Sequence, residues 1–241
     1  MTRASLLAAV AIVLVGWTTT ATAQIAGVPV GSLTPAGMQR VDVEVPEHEG
    51  HGVRLYFAPA RAGSATVRPG ADDSTSLPRA TLRVDVLVAD DAAAAAAALA
   101  WIEQTVTREM PQIASLGDRG WGDTSIVAFV RDNVFVTVQR VGEGVDARAH
   151  ALAIDAAIAR APRRGAPAAP RIQIPVPAEG VTALPLPAEI LAAHVTATGS
   201  VYARRTRAGW ALVRRGDGPW TVTVMTSDAL LRRSRVESSG R

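Results

Sequence analysis

Stretches in which apolar and polar residues alternate recur through the first part of the chain. Arg40–Val45 (RVDVEV) and Val53–Phe57 (VRLYF) alternate with a period of two, which is typical of half-buried strands. The polar residues 46–52 lie between them and favour a hairpin. Leu82–Ala89 (LRVDVLVA) carries the same pattern. We therefore predict three strands before the first helix of the chain.

Two more strands are predicted at Thr124–Arg131 and Val134–Arg140, on either side of Asp132-Asn133. That dipeptide is typical of a type I′ turn, and a two-residue loop places Phe129 opposite Val136. Both faces of this hairpin are apolar near the turn. A strand pair with two apolar faces must be covered on both sides, so we expect it at the centre of a sheet.

Apolar residues at helical spacing predict two helices. The first is capped by the Asp90-Asp91 pair, carries an apolar stripe that includes Leu99, and ends before Pro111. The second covers residues 145–160. The order strand–helix–strand–strand–helix is most of a ferredoxin-like or split βαβ arrangement. It predicts an α+β domain over residues 39–161, an antiparallel sheet with two helices packed on one face.

The rest of the chain predicts a looser organisation. Residues 162–187 contain seven prolines and favour a linker with polyproline character. A short helix over 188–195 and a three-stranded antiparallel meander then form a small β-rich subdomain over 188–230. Residues 231–241 are basic and polar, which is typical of a disordered tail. The small residues at 24–38 predict a flexible N-terminal segment.

The first 23 residues have the pattern of a secretory signal peptide. Arg3 supplies a positive charge, Leu6–Gly16 (LLAAVAIVLVG) is an apolar run too short to span a bilayer, and Ala21-Thr22-Ala23 fits a small-residue cleavage site. We predict cleavage after Ala23, which makes Gln24 the first residue of a soluble protein that is periplasmic or extracellular and has no transmembrane anchor. The alternative is an uncleaved membrane anchor.

Composition excludes several kinds of chemistry. The chain of 241 residues has no cysteine and no lysine, which excludes disulfides, thiolate metal sites, Schiff-base catalysis and a Walker A phosphate loop. Its net charge is only +3, because 25 arginines face 22 acidic residues, and this near balance argues against nucleic acid as a partner. No serine lies in a G-x-S-x-G motif, and we predict neither a catalytic residue nor a cofactor.

Charge is nevertheless distributed unevenly along the chain. Residues 201–241 carry a net charge of +6, and residues 24–200 a net charge of −4. An anionic group could be held in the basic end by arginines and an indole: Arg205, Arg207, Arg214 and Trp210. Such a patch would take an anionic component of the cell envelope or an acidic partner protein. The alternative is a solvated strand face.

Two further candidate sites each have a structural alternative. Trp121 lies in the glycine-rich stretch 117–123 (GDRGWGD), where it is either a buried plug of the core or an exposed anchor for a ligand. His48 and His51 belong to the sequence EHEGH. They could bind a divalent metal ion, or they could lie in a solvated turn.

Residues 117–158 combine a Gly-Asp turn, a strand that ends in FVRDN, a second strand VFVTV and the alanine-rich helix ARAHALAIDAAI. This run resembles domains of exported bacterial proteins of uncharacterised function, among them sensor-type extracellular domains and lipoprotein-like modules. The resemblance implies an extracytoplasmic, non-catalytic module. We therefore expect a non-enzymatic binding or interaction protein. The alternative is an exported hydrolase whose site is assembled from residues distant in sequence.

Overall fold

A computed structural model of the protein describes residues 24–46, 52–60, 80–105, 110–164 and 168–241. The elements up to residue 164 are a 3-10 turn (Val30–Leu33), β1 (Met38–Glu44), β2 (Val53–Pro59), β3 (Leu82–Val88), α1 (Ala92–Thr105), β4 (Arg119–Gly122), β5 (Ile126–Arg131), β6 (Val134–Arg140) and α2 (Ala147–Ala159). Those from residue 168 onward are β7 (Gly180–Leu184), β8 (Ile190–Gly199), β9 (Val201–Thr206), β10 (Gly209–Arg214), β11 (Trp220–Asp228) and β12 (Arg233–Gly240). The protein is thus a strand-rich α+β fold.

Strands β1 to β6 form one antiparallel sheet in the order β1-β2-β3-β6-β5-β4. The predicted pairings of β1 with β2 and of β5 with β6 are confirmed, and Phe129 lies opposite Val136. The turn between β5 and β6 is not type I′, because Asp132 has a positive φ of 55° and Asn133 does not.

The two helices cover opposite faces of this sheet. α2 packs Ile154 against the face that carries Phe129, and α1 packs Leu99 against the face that carries Val130. The prediction of two helices on one face is therefore wrong, and the ferredoxin-like arrangement is not confirmed. The physical reason lies in β5 and β6, whose two faces are both apolar. One helix on each face removes both of them from water.

The N-terminal segment is packed into the core, so the prediction of a flexible segment over 24–38 is wrong. The side chains of Ile25, Val28 and Leu33 are buried in the same apolar cluster as α2. The backbone N–H of Val28 donates to the carbonyl oxygen of Leu230 at 2.7 Å. The segment is held by contacts with residues far along the chain, and its own sequence has no periodicity that would predict them.

Two predictions for the C-terminal part are corrected by the pairing of β11. This strand lies between β12 and β8 in a three-stranded antiparallel sheet. In place of the predicted short helix over 188–195, residues 190–195 belong to the strand β8, and the predicted disordered tail over 231–241 contains the strand β12. Pairing with β11 overrides the helix propensity of the alanines in β8, since it buries Val195.

A second apolar core lies within the C-terminal part. Strands β9 and β10 form a separate two-stranded sheet, so the predicted meander, in which β11 would pair with β10, is not formed. Leu212 of this hairpin packs with Val222 of β11. Ile172 and Leu184 belong to the same cluster, so the proline-rich stretch packs against the strands. None of the helices within the described ranges is long and apolar enough to cross a membrane.

The C-terminal part is joined to the larger sheet near the turn between β11 and β12. Leu231 is 1% exposed and belongs to the core of the larger sheet, and Leu191 of β8 packs against that core. Arg233 Nη2 donates a hydrogen bond to the carbonyl oxygen of Pro46 at 2.9 Å. These contacts bring the start of β8 next to β1.

Candidate binding cleft between two sheet edges

A cleft of about 750 Å³ lies between strand β1, at one edge of the six-stranded sheet, and strand β8, at one edge of the three-stranded sheet. One wall consists of residues 40–46 and the other of residues 190–194. Leu186 and three residues of the β9–β10 hairpin, Arg205, Gly209 and Trp210, complete the lining. Two residues of the predicted anionic-group site therefore lie at this cleft.

The two walls are strand edges rather than sheet faces. A sheet face contributes every second residue of a strand, because side chains alternate. Here consecutive residues line the cleft on both sides, 40–46 on one wall and 190–194 on the other. This is the pattern expected where the unpaired edge of a strand, with its backbone N–H and C=O groups, borders an opening.

The other edge of the six-stranded sheet, β4, is closed. There the N–H of Ile113 donates to Gly120 O at 2.9 Å, and the N–H of Gly122 donates to Pro111 O at 3.0 Å. Among the residues that the structure describes, no backbone hydrogen bond joins residues 40–45 to a strand other than β2. Strand β1 is thus the edge of this sheet that is available for pairing.

A β-bulge in β1 changes the direction of Arg40. Arg40 lies opposite Phe57, whereas Asp42 lies opposite Tyr56, so the register shifts at Val41. Cross-strand partners share a face, and Phe57 is on the buried face of the sheet. Strict alternation would put Arg40 on the face of Asp42. The bulge therefore separates the two charges, and bulges that re-aim a side chain recur next to active sites.

Arg205 and Trp210 reach the cleft together. They are direct cross-strand partners in the β9–β10 hairpin, on the same face as the buried Leu212. Arg205 is exposed and Trp210 is half-buried. Arg204 lies on the opposite face of β9, since its partner is Ala211. An arginine and an indole are thus presented side by side to one cleft.

The acidic groups of the cleft have partners within the fold. Asp42 Oδ1 accepts a hydrogen bond from the Val43 N–H at 2.8 Å, and Glu44 Oε2 accepts one from the Tyr56 hydroxyl at 3.2 Å. Burial, and then the charge of Glu44, raise the pKa of Tyr56, which keeps this hydroxyl a donor. Each of the two carboxylates therefore has one hydrogen-bond donor within the fold.

Three basic groups at the cleft have no partner within the described ranges. The guanidinium groups of Arg40 and Arg205 are exposed and make no hydrogen bond or ion pair there. His194 Nε2 is buried, and it too has no hydrogen-bond partner in that part of the chain. The lining therefore includes two exposed guanidinium groups that have no protein partner in the part of the chain that the structure describes.

The other two predicted arginines are not part of the lining. Arg207 lies in the turn between β9 and β10. Arg214 shares the face of Trp210 but donates to Gly216 O at 3.0 Å and to Pro177 O at 3.2 Å. Arg214 is thus used to hold the turn and the proline-rich stretch in place.

Trp121 lies in β4 and is 7% exposed. It packs in the cluster of Leu99 on the face that α1 covers, which is the position of a core plug rather than of an exposed anchor. His48 and His51 lie outside the described residues, so the metal prediction stays a prediction. Within the described residues, no group of three or more metal-ligating side chains occurs.

Several residues within the stretch 117–158 form a polar cluster. Asp155 of α2 is 5% exposed, accepts two hydrogen bonds from Arg131, and accepts one from the Gly117 N–H at 3.0 Å. The hydrogen bond to Asp155 raises the pKa of Arg131. Asp118 accepts a hydrogen bond from the backbone N–H of Asp132. These bonds fasten α2 and the Gly-Asp turn to the end of β5, a structural role.

Asn133 fixes the start of the chain from the same turn. Its Oδ1 accepts from the Ile25 N–H at 2.8 Å, and its Nδ2 donates to Ile25 O at 3.0 Å and to Ala89 O at 2.8 Å. The side chain is 2% exposed. The side chain of Asn133 thus forms hydrogen bonds to both backbone groups of Ile25 and holds the N-terminal segment in place.

Comparisons with known proteins found no family model, no curated protein and no solved structure that matches this chain. Sequence reasoning missed Arg40 and His194 as lining residues of the cleft. Alternation in β1 carries no signal of the bulge that re-aims Arg40. His194 follows an alanine pair in a stretch that favours a helix, so its position on an edge strand is set by pairing with β11.

Proposed function

We propose that the protein is a non-enzymatic binding module that takes an extended segment of a polypeptide into the cleft between β1 and β8. The observation that carries this proposal is the meeting of two unpaired strand edges at one opening. Edge strands bind extended peptides by adding them as a further strand, with main-chain hydrogen bonds for affinity and side-chain pockets for specificity.

The dimensions of the cleft suit such a segment. The five residues of the wall at 190–194 span about 17 Å in a strand. The volume of about 750 Å³ lies within the range of roughly 300–1,000 Å³ that is usual for ligand sites. A stretch of about five extended residues would therefore be engaged along one wall.

Amide hydrogen exchange tests where a peptide binds. The probes are synthetic peptides of about eight residues in which valine alternates with polar residues, a pattern that favours a strand. A strand added in the cleft slows exchange at residues 40–46 or 190–194, while the outer edge strand β12 keeps its rate. Protection confined to β12, or no protection of either wall by any peptide of the panel, would overturn the proposal.

A steric variant adds a second test. Ala192 lines the cleft, and Thr198 lies on the same face of β8 but is exposed and outside the lining. We expect Ala192→Tyr to weaken peptide binding at least about tenfold and Thr198→Tyr to leave it unchanged. Circular dichroism checks that both variants fold. If Ala192→Tyr does not fold, Trp210→Ala at the hairpin tip replaces it, with the same expectation.

An exported hydrolase is the second candidate, and one observation favours it. His194 lines the same cleft as Asp42 and Glu44, and a histidine with a carboxylate can serve as a general base. Mass spectrometry of the peptides after incubation tests this candidate. Cleavage by the wild-type protein that His194→Gln abolishes would support a hydrolase and displace the binding module.

We also infer that the protein acts outside the cytoplasm. The signal-peptide pattern of residues 1–23 supports this inference. Cleavage after Ala23 would leave intact the packed segment that starts with Ile25. Mass spectrometry of the exported protein is expected to show Gln24 as the first residue, and an intact stretch from Met1 to Ala23 would contradict it.

A further inference from the structure

We propose, as a step that rests on the proposed function, that the segment taken into the cleft is acidic and that Arg40 and Arg205 select it. The two guanidinium groups come from strands of different sheets, β1 and β9, and line the same cleft. A partner protein would thus be recognised by an extended stretch that carries carboxylate side chains.

The charge state of the lining favours an acidic segment. Arg40 and Arg205 have no partner in the part of the chain that the structure describes, whereas the two acidic side chains of β1 already accept hydrogen bonds. An incoming carboxylate pairs with a guanidinium without breaking any of these bonds. The acidic side chains, in contrast, each already have one hydrogen-bond donor within the fold.

The bulge in β1 makes Arg40 available for this role. In a regular strand Arg40 would share a face with Asp42 and Glu44, and the three charges would compensate one another. The register shift at Val41 moves Arg40 to the other face. The bulge disrupts one position of the ladder and gives the cleft a cation that is separated from its acidic neighbours in sequence.

Trp210 is expected to strengthen an ion pair between Arg205 and a carboxylate of the ligand. An exposed ion pair contributes little binding energy by itself, because water screens it. The indole lies directly across the hairpin from Arg205 and is half-buried. An apolar ring next to a guanidinium keeps water from one side of an ion pair, and a lower local dielectric strengthens the attraction. The guanidinium can then hold a carboxylate with two parallel hydrogen bonds.

The shape of the site distinguishes a peptide from a broad anionic surface. A membrane or a polysaccharide would meet Arg204, on the outer face of β9, as readily as Arg205, because both are exposed. An extended peptide between two strand edges would meet Arg205 and Arg40 but not Arg204. Variants at these three positions therefore separate the two kinds of partner.

Two peptides of about eight residues test the inference. Both alternate valine with polar residues, and the polar positions carry glutamate in one peptide and glutamine in the other. Fluorescence anisotropy with the purified full chain at ~0.05 M and ~0.15 M salt gives the two affinities. We expect the glutamate peptide to bind about tenfold more tightly than the glutamine peptide, with a smaller ratio at the higher salt concentration.

Charge-removing variants identify the residues responsible. Arg40→Gln and Arg205→Gln are each expected to weaken binding of the glutamate peptide about fivefold and to leave the glutamine peptide unchanged. The double variant should abolish the preference. Arg204→Gln and Arg148→Gln remove the same charge at exposed positions outside the cleft and are expected to keep it.

Each outcome decides between the two proposals. Selection by Arg40 and Arg205 is overturned if the double variant still prefers the glutamate peptide. It is also overturned if the preference falls equally in the Arg204 and Arg148 controls. Equal affinities for the two peptides, with the cleft walls protected from exchange, overturn the acidic preference and leave the proposed function standing. Protection of neither wall by either peptide overturns both. Binding of anionic vesicles that Arg204→Gln weakens as much as Arg205→Gln would also overturn the inference.

Discussion

The polar groups around Asp155 are hydrogen-bonded to one another, whereas several polar groups at the cleft have no protein partner in the described ranges. Asp155 holds Arg131 and a backbone N–H in a position that is almost fully buried. At the cleft, Arg40, Arg205 and the buried Nε2 of His194 have no partner in the described ranges. A buried network stabilises the fold through its own members, whereas exposed guanidinium groups are solvated by water and contribute when a ligand replaces that water. The contrast predicts that substitutions in the first region affect folding and those in the second affect binding.

The largest expected effect is the loss of Asp155. Asp155→Ala removes the carboxylate that accepts both hydrogen bonds from the guanidinium of Arg131, which is about three-quarters buried, and leaves only Asp118 at 3.9 Å. We expect the free energy of unfolding to fall by about 3 kcal/mol, measured by urea denaturation. Asp217→Ala is the control, because Asp217 is fully exposed, and we expect no measurable change there. A loss below about 1 kcal/mol for Asp155→Ala would show that the cluster contributes no more than a surface ion pair, which would contradict the contrast between the two regions.

Asn133→Ala is expected to have the next largest effect. It removes the partners of the Ile25 N–H and C=O groups, which remain buried, so the free energy of unfolding should fall by about 2 kcal/mol. Limited proteolysis should also cut the N-terminal segment sooner than in the wild-type protein. Gln112→Ala removes an exposed amide and serves as the control. An unchanged rate of cleavage would mean that the burial of Ile25 and Val28 alone holds this segment.

The satisfied region is also the one that the sequence predicted better. The pairing of β5 with β6 followed from a two-residue loop and from apolar residues on both faces, and Phe129 lies opposite Val136 as predicted. These are local signals, since both strands lie within a few residues of their turn. The apolar residues on both faces of this hairpin indicated that each face is covered by other elements. The prediction of both helices on one face contradicted that signal.

The cleft could not be predicted from the sequence, because distant pairing creates it. Residues 190–199 form the strand β8 because they pair with β11, although their alanines by themselves favour a helix. The direction of Arg40 depends on a bulge that alternation conceals. Arg205 and Trp210 were predicted from the +6 charge of residues 201–241 and the indole among these arginines, which is again a local signal.

A matched pair of substitutions sharpens the contrast further. Arg131→Gln removes a guanidinium bonded to Asp155 and is expected to lower the free energy of unfolding by about 2 kcal/mol. The same change at Arg40 or Arg205, both exposed, should alter it by no more than about 0.5 kcal/mol. Thermal and urea unfolding measure both effects. A loss above about 1 kcal/mol at Arg40 or Arg205 would show that the fold depends on that guanidinium, against the contrast.

The smallest expected effect concerns His150, on the same helix as Asp155. Burial lowers the pKa of His150, and the charge of Asp146 opposes this only in part. The folded protein therefore binds this proton less readily than the unfolded chain, where histidine titrates near ~6.5. The stability that the neutral imidazole contributes is complete above pH ~6.5 and is lost as the pH falls through the lower pKa of the folded state. We expect the free energy of unfolding to fall from pH ~7 to ~5, and to fall less steeply in His150→Gln.

Urea denaturation across this range gives both slopes, and equal slopes would contradict the assignment. Peptide affinity at pH ~7 should not change in His150→Gln, because the helix that carries this residue does not line the cleft.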